Sequence, residues 1–253
     1  MSTYTFMSTA PAKLFVEFEK GSLEVEATET DETVVEIDGD DAESLVVEQS
    51  GDTITVSDPR RGPFGRSRRY EIRVTAPTHS QLRARTGSAD IATVGVLRAA
   101  WLQTGSGDVR VDQVTEEFQL ESGSGDLEAD ALHGRASVKS GSGDVRIGTV
   151  HDLHTKTGSG SVEIDEVEGD VTHSTGSGDF AIHSVSAGRI SVKAASADVR
   201  VGIPNGTPVW TDVKTVSGQC TSTVQSAGAP AAGEPYVELR TTTVSGDVTL
   251  VGI

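Results

Sequence analysis

A single cysteine, Cys220, in a chain of 253 residues excludes an intrachain disulfide framework and a cysteine-ligated zinc site, and it suits a reducing compartment. Aromatic residues make up only 4% of the sequence, which is too few to line a broad sugar-binding groove. Long apolar runs are missing as well: no stretch approaches the roughly 18 apolar residues of a membrane-spanning helix, and the first twenty residues lack a basic start followed by an apolar segment. These features predict a protein without a membrane span and a cytoplasmic location. Positive charge is scarce, with a net charge of −17. General nucleic-acid binding is therefore excluded, because a phosphate backbone would be repelled by most of such a surface.

What the chain has in excess is glycine, 28 residues, and its placement is regular. The tetrapeptide Gly-Ser-Gly-Asp occurs at Gly105–Asp108, Gly123–Asp126, Gly141–Asp144 and Gly176–Asp179, with degenerate copies at Gly87–Asp90, Gly158–Ser161 and Ala195–Asp198. The central serine steps by 18, 18, 18, 17, 18 and 19 residues. A fixed period of this size means stacked structural units.

Counting from that serine as position zero, apolar residues recur in columns. Position +3 holds Ile91, Val109, Leu127, Val145, Val162, Phe180 and Val199, and position +5 holds Thr93, Val111, Ala129, Ile147, Ile164, Ile182 and Val201. Position +8 reads Val96, Val114, Leu132, Val150, Val167 and Val185. Upstream, position −6 holds Ala100, Phe118, Ala136, Leu153, Val171 and Ile190, and position −4 holds Leu102, Leu120, Val138, Thr155, His173 and Val192. The spacing of two within each half is the strand period, so each unit contains two short strands with one buried face. At −2 the inward parity falls on small hydroxyl residues, Thr86, Thr104, Ser122, Ser140, Thr157 and Thr175, which can bond the backbone beside the glycine turn. Length changes occur only at the corner between +8 and the next −6 position.

The predicted fold class is all-β: a parallel β-helix or β-solenoid with about 18 residues and two main strands per coil, and an N-terminal β cap. Like residues recurring in one column are explained directly when coils stack on one another. An antiparallel β meander or sandwich, with Gly-Ser-Gly closing hairpins, is the alternative. The chain divides into a flexible start at 1–11, a β cap or irregular first coils at 12–85, the regular solenoid at 86–203, and irregular C-terminal coils and cap at 204–253. In 12–59 the inward columns lose their register, although Gly21-Ser22 resembles a faint corner. Insertions mark 204–253, with Pro204-Asn205-Gly206 and an Ala/Gly/Pro-rich stretch at 226–235.

Charge is distributed unevenly. Residues 1–59 carry 15 acidic and 2 basic side chains, whereas residues 60–85 carry 8 arginines and only Glu71. The basic loop at 58–69 supplies the candidate partner-binding residues Arg60, Arg61, Arg66, Arg68 and Arg69, which could reach the acidic region of another copy, be neutralised within the chain, or touch anionic lipid peripherally. In the aspartate column, Asp108, Asp126 and Asp144 could form a calcium ladder. The simpler expectation is that each accepts a backbone N–H and fixes its corner. His133, His151 and His154 read as solvated corner residues, Cys220 as a core residue on an inward column, and Trp101 as an outward residue under the N-terminal cap. No nucleophile and base stand at motif spacing, and no cofactor is expected.

The serial Ser-Gly-Ser-Gly-Asp-Val units, preceded by the acidic region containing Val47-Glu-Gln-Ser-Gly-Asp-Thr-Ile-Thr-Val56, resemble the large bacterial β-strand-repeat family of adhesin-like proteins also called toastrack domains. The resemblance spans about residues 12–253. It implies a parallel β-helix-like fold and a non-catalytic assembly platform, linked to envelope-stress signalling beside the membrane, with no catalytic residues to carry over. The functional expectation is a non-enzymatic scaffold, a protein-interaction or self-assembly module. A polysaccharide-binding or polysaccharide-cleaving β-helix protein is the alternative.

Overall fold

The computed structural model describes residues 1–7, 10–39, 41–59, 68–225, 228 and 233–253. The chain forms two compact units, Met1–Ala129 and Asp130–Ile253. Both are parallel β-solenoids, and the hairpin meander does not occur in the repeats. Among the described residues no helix is long and apolar enough to cross a membrane.

The first unit contains β1 (Ser2–Met7), β2 (Lys13–Glu17), β3 (Lys20–Thr28), β4 (Glu32–Gly39), β5 (Val46–Ser50), β6 (Thr53–Ser57), β7 (Arg69–Pro77), β8 (Gln81–Arg85), β9 (Asp90–Thr104) and β10 (Val109–Ser122). Strand β11 (Leu127–Ser140) starts in this unit and continues into the second. Between β9 and β10 the columns stack as expected: Ile91 on Val109, Thr93 on Val111, Ala100 on Phe118 and Leu102 on Leu120. All eight side chains are buried. One column differs. Leu97, not Val96, lies beside Val114, because β9 carries an extra residue at a bulge around Gly95, which adopts a φ of 84°. The Gly95 N–H is held by Asp112 Oδ2 at 2.8 Å.

Residues 13–28 keep the register that the sequence pattern suggested was lost. Leu82 stacks on Leu14, Ala84 on Val16 and Ile91 on Leu23, so β2 and β3 form a complete coil. Its corner, Glu19-Lys20-Gly21-Ser22, lacks the tetrapeptide, which is why it escapes a motif search. The other side of this coil is covered by β6 and β7, where Leu14 meets Ile54 and Leu23 meets Ile72. The chain order 13–28, then 53–57 with 69–77, then 81–104 therefore becomes a spatial order in which 13–28 lies between the other two. Antiparallel strands close this end: β5 pairs with β6, β4 with β7, and β1 with β4. They occupy strand edges that would otherwise be open to pairing with another chain.

The second unit contains β12 (Val145–Thr157), β13 (Val162–Val167), β14 (Val171–Ser177), β15 (Phe180–Val185), β16 (Gly188–Ser196), β17 (Val199–Ile203), β18 (Val209–Thr215), β19 (Cys220–Ser222), β20 (Val237–Ser245) and β21 (Val248–Gly252). One inward column runs Val145, Val162, Phe180, Val199, Val248 and Cys220, and another runs Leu153, Val171, Ile190, Leu239 and Thr211. Here too the order is interleaved, since β20 and β21 lie between the β16–β17 coil and the β18–β19 coil.

A polar pair interrupts the apolar interior of this unit. His173 is fully buried, stacks on Phe180 with ring centroids 4.6 Å apart, and its Nδ1 lies 2.6 Å from Thr155 Oγ1. Its Nε2 has no hydrogen-bond partner. Burial lowers the imidazole pKa to about 4, so the ring is neutral at physiological pH.

Candidate functional site

The repeated corner is built by three local devices. The hydroxyl at −2 accepts a corner N–H: Thr104 Oγ1 from Gly107, Ser122 Oγ from Gly125 and Ser140 Oγ from Gly143, each at 3.0 Å. The glycines leave room for the neighbouring coil, because a Cβ on Gly107 would fall inside the carbonyl oxygen of Ala89, and one on Gly125 inside that of Gly107. The aspartate then reaches across to the next coil. Asp90 Oδ1 accepts the N–H of Asp108 at 3.0 Å, Asp108 Oδ1 that of Asp126 at 3.0 Å, and Asp144 Oδ1 that of Ser161 at 2.9 Å. The same bond recurs from Asp198 to Asp179 at 3.1 Å and from Asp247 to Asp198 at 2.8 Å. This is the corner-fixing geometry in an intercoil form. Among the described residues no three His, Cys, Asp or Glu side chains converge as a metal site.

Of the candidate arginines, Arg60, Arg61 and Arg66 lie outside the described residues. Arg68 turns inward to its own unit, with Nη1 2.8 Å from Asp41 Oδ2 and 3.1 Å from Ser44 Oγ, and Ser44 Oγ lies 3.0 Å from the Tyr70 hydroxyl. Arg69 is exposed and lines a cavity of about 340 Å³ with Asp38, Gly39 and Glu71. The structure thus places Arg68 in an intrachain acidic contact. His133, His151 and His154 are all exposed.

Trp101 is covered by Arg83 of β8, which lies within the 12–85 segment expected to cap it. The Arg83 guanidinium lies 5.5 Å from its ring centroid and 5.4 Å from that of Phe15, forming an outward aromatic and cationic ladder on β2, β8 and β9.

The most unusual surface is the β18–β19 coil. In this coil Cys220 does stand on the inward column beside Val248, but it is exposed, because among the described residues the coil pairs on one side only. Trp210, 47% exposed, has the Arg240 guanidinium 5.3 Å from its ring. Beneath it, Glu238 is buried and receives Arg189 Nε at 2.9 Å and Arg240 Nη2 at 2.6 Å. Hydrogen bonding from Arg189 first, and from Arg240, holds the Glu238 carboxyl below the usual carboxylate range. A cavity of about 230 Å³ is lined by Val209 and Thr211 of β18, Ser222 of β19, Val224 and Leu250 among others. Sequence reasoning passed over Trp210, Glu238 and Arg240. The one available signal was a tryptophan beside the break in the repeat, in a chain with only two tryptophans.

Residues 12–251 match the model of the Toastrack DUF4097 family. The chain belongs to that family. No curated protein is significantly similar to it. Among solved structures, this Toastrack chain is similar to a candidate lipid-binding protein from Parabacteroides distasonis, with 14% identity, 98% of this chain and 96% of that one covered, and a TM-score of 0.46. It is also similar to candidate adhesins from Parabacteroides merdae (9% identity, 100% and 95% covered, TM-score 0.45) and Bacteroides fragilis (11% identity, 98% and 96% covered, TM-score 0.42). Membership of the Toastrack family fits a non-catalytic scaffold or interaction role.

Proposed function

We propose that the chain is a non-catalytic assembly module that presents its terminal coil and regular acidic faces to protein partners, in the envelope-stress setting that the family resemblance implies. One contrast carries the reading. In the repeats the carboxylates are taken up in holding the next coil, whereas among the described residues β18 and β19 are paired on one side only. Regular coils beside one coil that holds the distinctive residues suit a connector, while a cleft enzyme concentrates unusual side chains in a groove.

A glycan-array and polysaccharide-hydrolysis screen tests this reading, using the native chain beside the triple variant D108N/D126N/D144N. The expected result is neither binding nor turnover by either protein. Activity in the native chain that is lost in the triple variant, with the fold intact by circular dichroism, overturns the scaffold reading in favour of polysaccharide recognition.

A further inference from the structure

The terminal coil carries a strand that is complementary to itself in the antiparallel sense. Strand β18 runs parallel to β20 from Val209 beside Val237 to Thr215 beside Thr243, and Pro208 O accepts the Val237 N–H at 3.0 Å. Backbone amides alternate in direction along a strand. Trp210, Asp212 and Lys214 therefore turn their backbone groups toward β20, and Thr211, Val213 and Thr215 turn theirs away from it. Among the described residues β18 has no strand on that second side.

We propose that two copies of this chain join through this edge, β18 against β18 antiparallel about Val213. The proposal rests on the assembly-module reading and names its partner as a second copy. Centred on Val213, Asp212 of each copy stands across from Lys214 of the other, Trp210 across from Val216, and Thr211 across from Thr215. The outward-facing amides of Thr211, Val213 and Thr215 meet their counterparts in register. Trp210 and Val216 are 47% and 81% exposed, so each has apolar surface to cover. Asp212 and Lys214 already approach within one chain, Nζ to Oδ2 at 3.2 Å. Charges on a free edge oppose pairing with most strands. In self-pairing every charge meets its opposite, and this favours a second copy over an arbitrary strand. The pairing also shields the exposed Thr211 and the half-buried Val213.

Sedimentation velocity of the full chain across concentration tests the proposal, with thermal melts confirming the fold of each variant. The native chain is expected to dimerise. Asp212→Lys sets lysine opposite lysine and Lys214→Asp sets aspartate opposite aspartate, and each is expected to raise the dimer dissociation constant roughly tenfold. The double variant D212K/K214D restores opposite charges and is expected to return to the native value. Val213→Pro removes an N–H that points away from β20, so it leaves the β18–β20 ladder intact while deleting bonds across the dimer. It is expected to be monomeric, with the melting temperature that the native chain shows at concentrations below its dimer dissociation constant. A native chain that stays monomeric at about 100 μM overturns the proposal. So does an assembly indifferent to all four variants, although that outcome leaves the assembly-module reading standing. Polysaccharide hydrolysis would overturn that reading and not the dimer.

Discussion

The backbone N–H of Asp126 donates to Oδ1 of Asp108 at 3.0 Å, so a side chain in one coil holds the main chain of the next. The aspartate column is therefore a chain of intercoil clasps.

Asp108→Ala removes an acceptor that Asp108→Asn retains. The alanine variant is expected to lose about 1 kcal/mol and the asparagine variant distinctly less, measured by urea unfolding. The carboxylates already have a structural task, so millimolar calcium is expected to leave the melting temperature of the native chain unchanged. A clear rise would show that the column binds cations.

Gly125→Ala places a methyl group where the Gly107 carbonyl oxygen sits. The coils must separate to admit it, at an expected cost of about 1–3 kcal/mol in equilibrium unfolding. Ser124→Ala, at an exposed position beside it, is expected to be nearly neutral. Equal losses for the two would contradict the close-approach argument.

His173 should make the fold sensitive to acid. Its folded-state pKa of about 4 lies below the ordinary value of 6.5, so the unfolded chain takes up the proton first. The stability tied to the neutral ring is complete above about pH 6.5 and declines as pH falls toward 4, by a total on the order of 3 kcal/mol. His173→Leu is expected to flatten this dependence between pH 4.5 and 7 in urea unfolding, while losing some stability at neutral pH because Thr155 forfeits its 2.6 Å partner.

Glu238→Gln weakens the clamp between Arg189 and Arg240 and so loosens the support under Trp210. Faster amide exchange is expected in β18, with no change in β12 to β15. Uniform acceleration across the second unit would show instead that Glu238 serves global stability.

The regular coils were legible because column identity follows from a period of 18 and a strand parity of two. Leu97 was misassigned to Val96 because a bulge at Gly95 inserts a residue without altering composition. In the sequence the segment 13–28 reads as a cap or irregular first coil with only a faint corner at Gly21-Ser22 and a lost register, because Glu19-Lys20-Gly21-Ser22 makes the same turn with different residues. Cys220 follows the column rule but is exposed, since burial depends on a further coil that sequence parity does not count. Layer order was not legible at all. A column shows that two residues share a position in the coil, and it is silent on which coil lies beside which. The Trp210, Glu238 and Arg240 cluster depends on that order, so it became visible only with the strand pairing.

The interleaved ends also bear on synthesis. Residues 13–28 leave the ribosome before the strands that flank them, at 53–57, 69–77, 81–85 and the start of β9. In the second unit, residues 209–222 pair with residues 237–252 and must wait for them. Each terminal layer is thus completed by a later-made segment, and a nascent chain is expected to hold its first coil unsatisfied until about residue 95 has emerged.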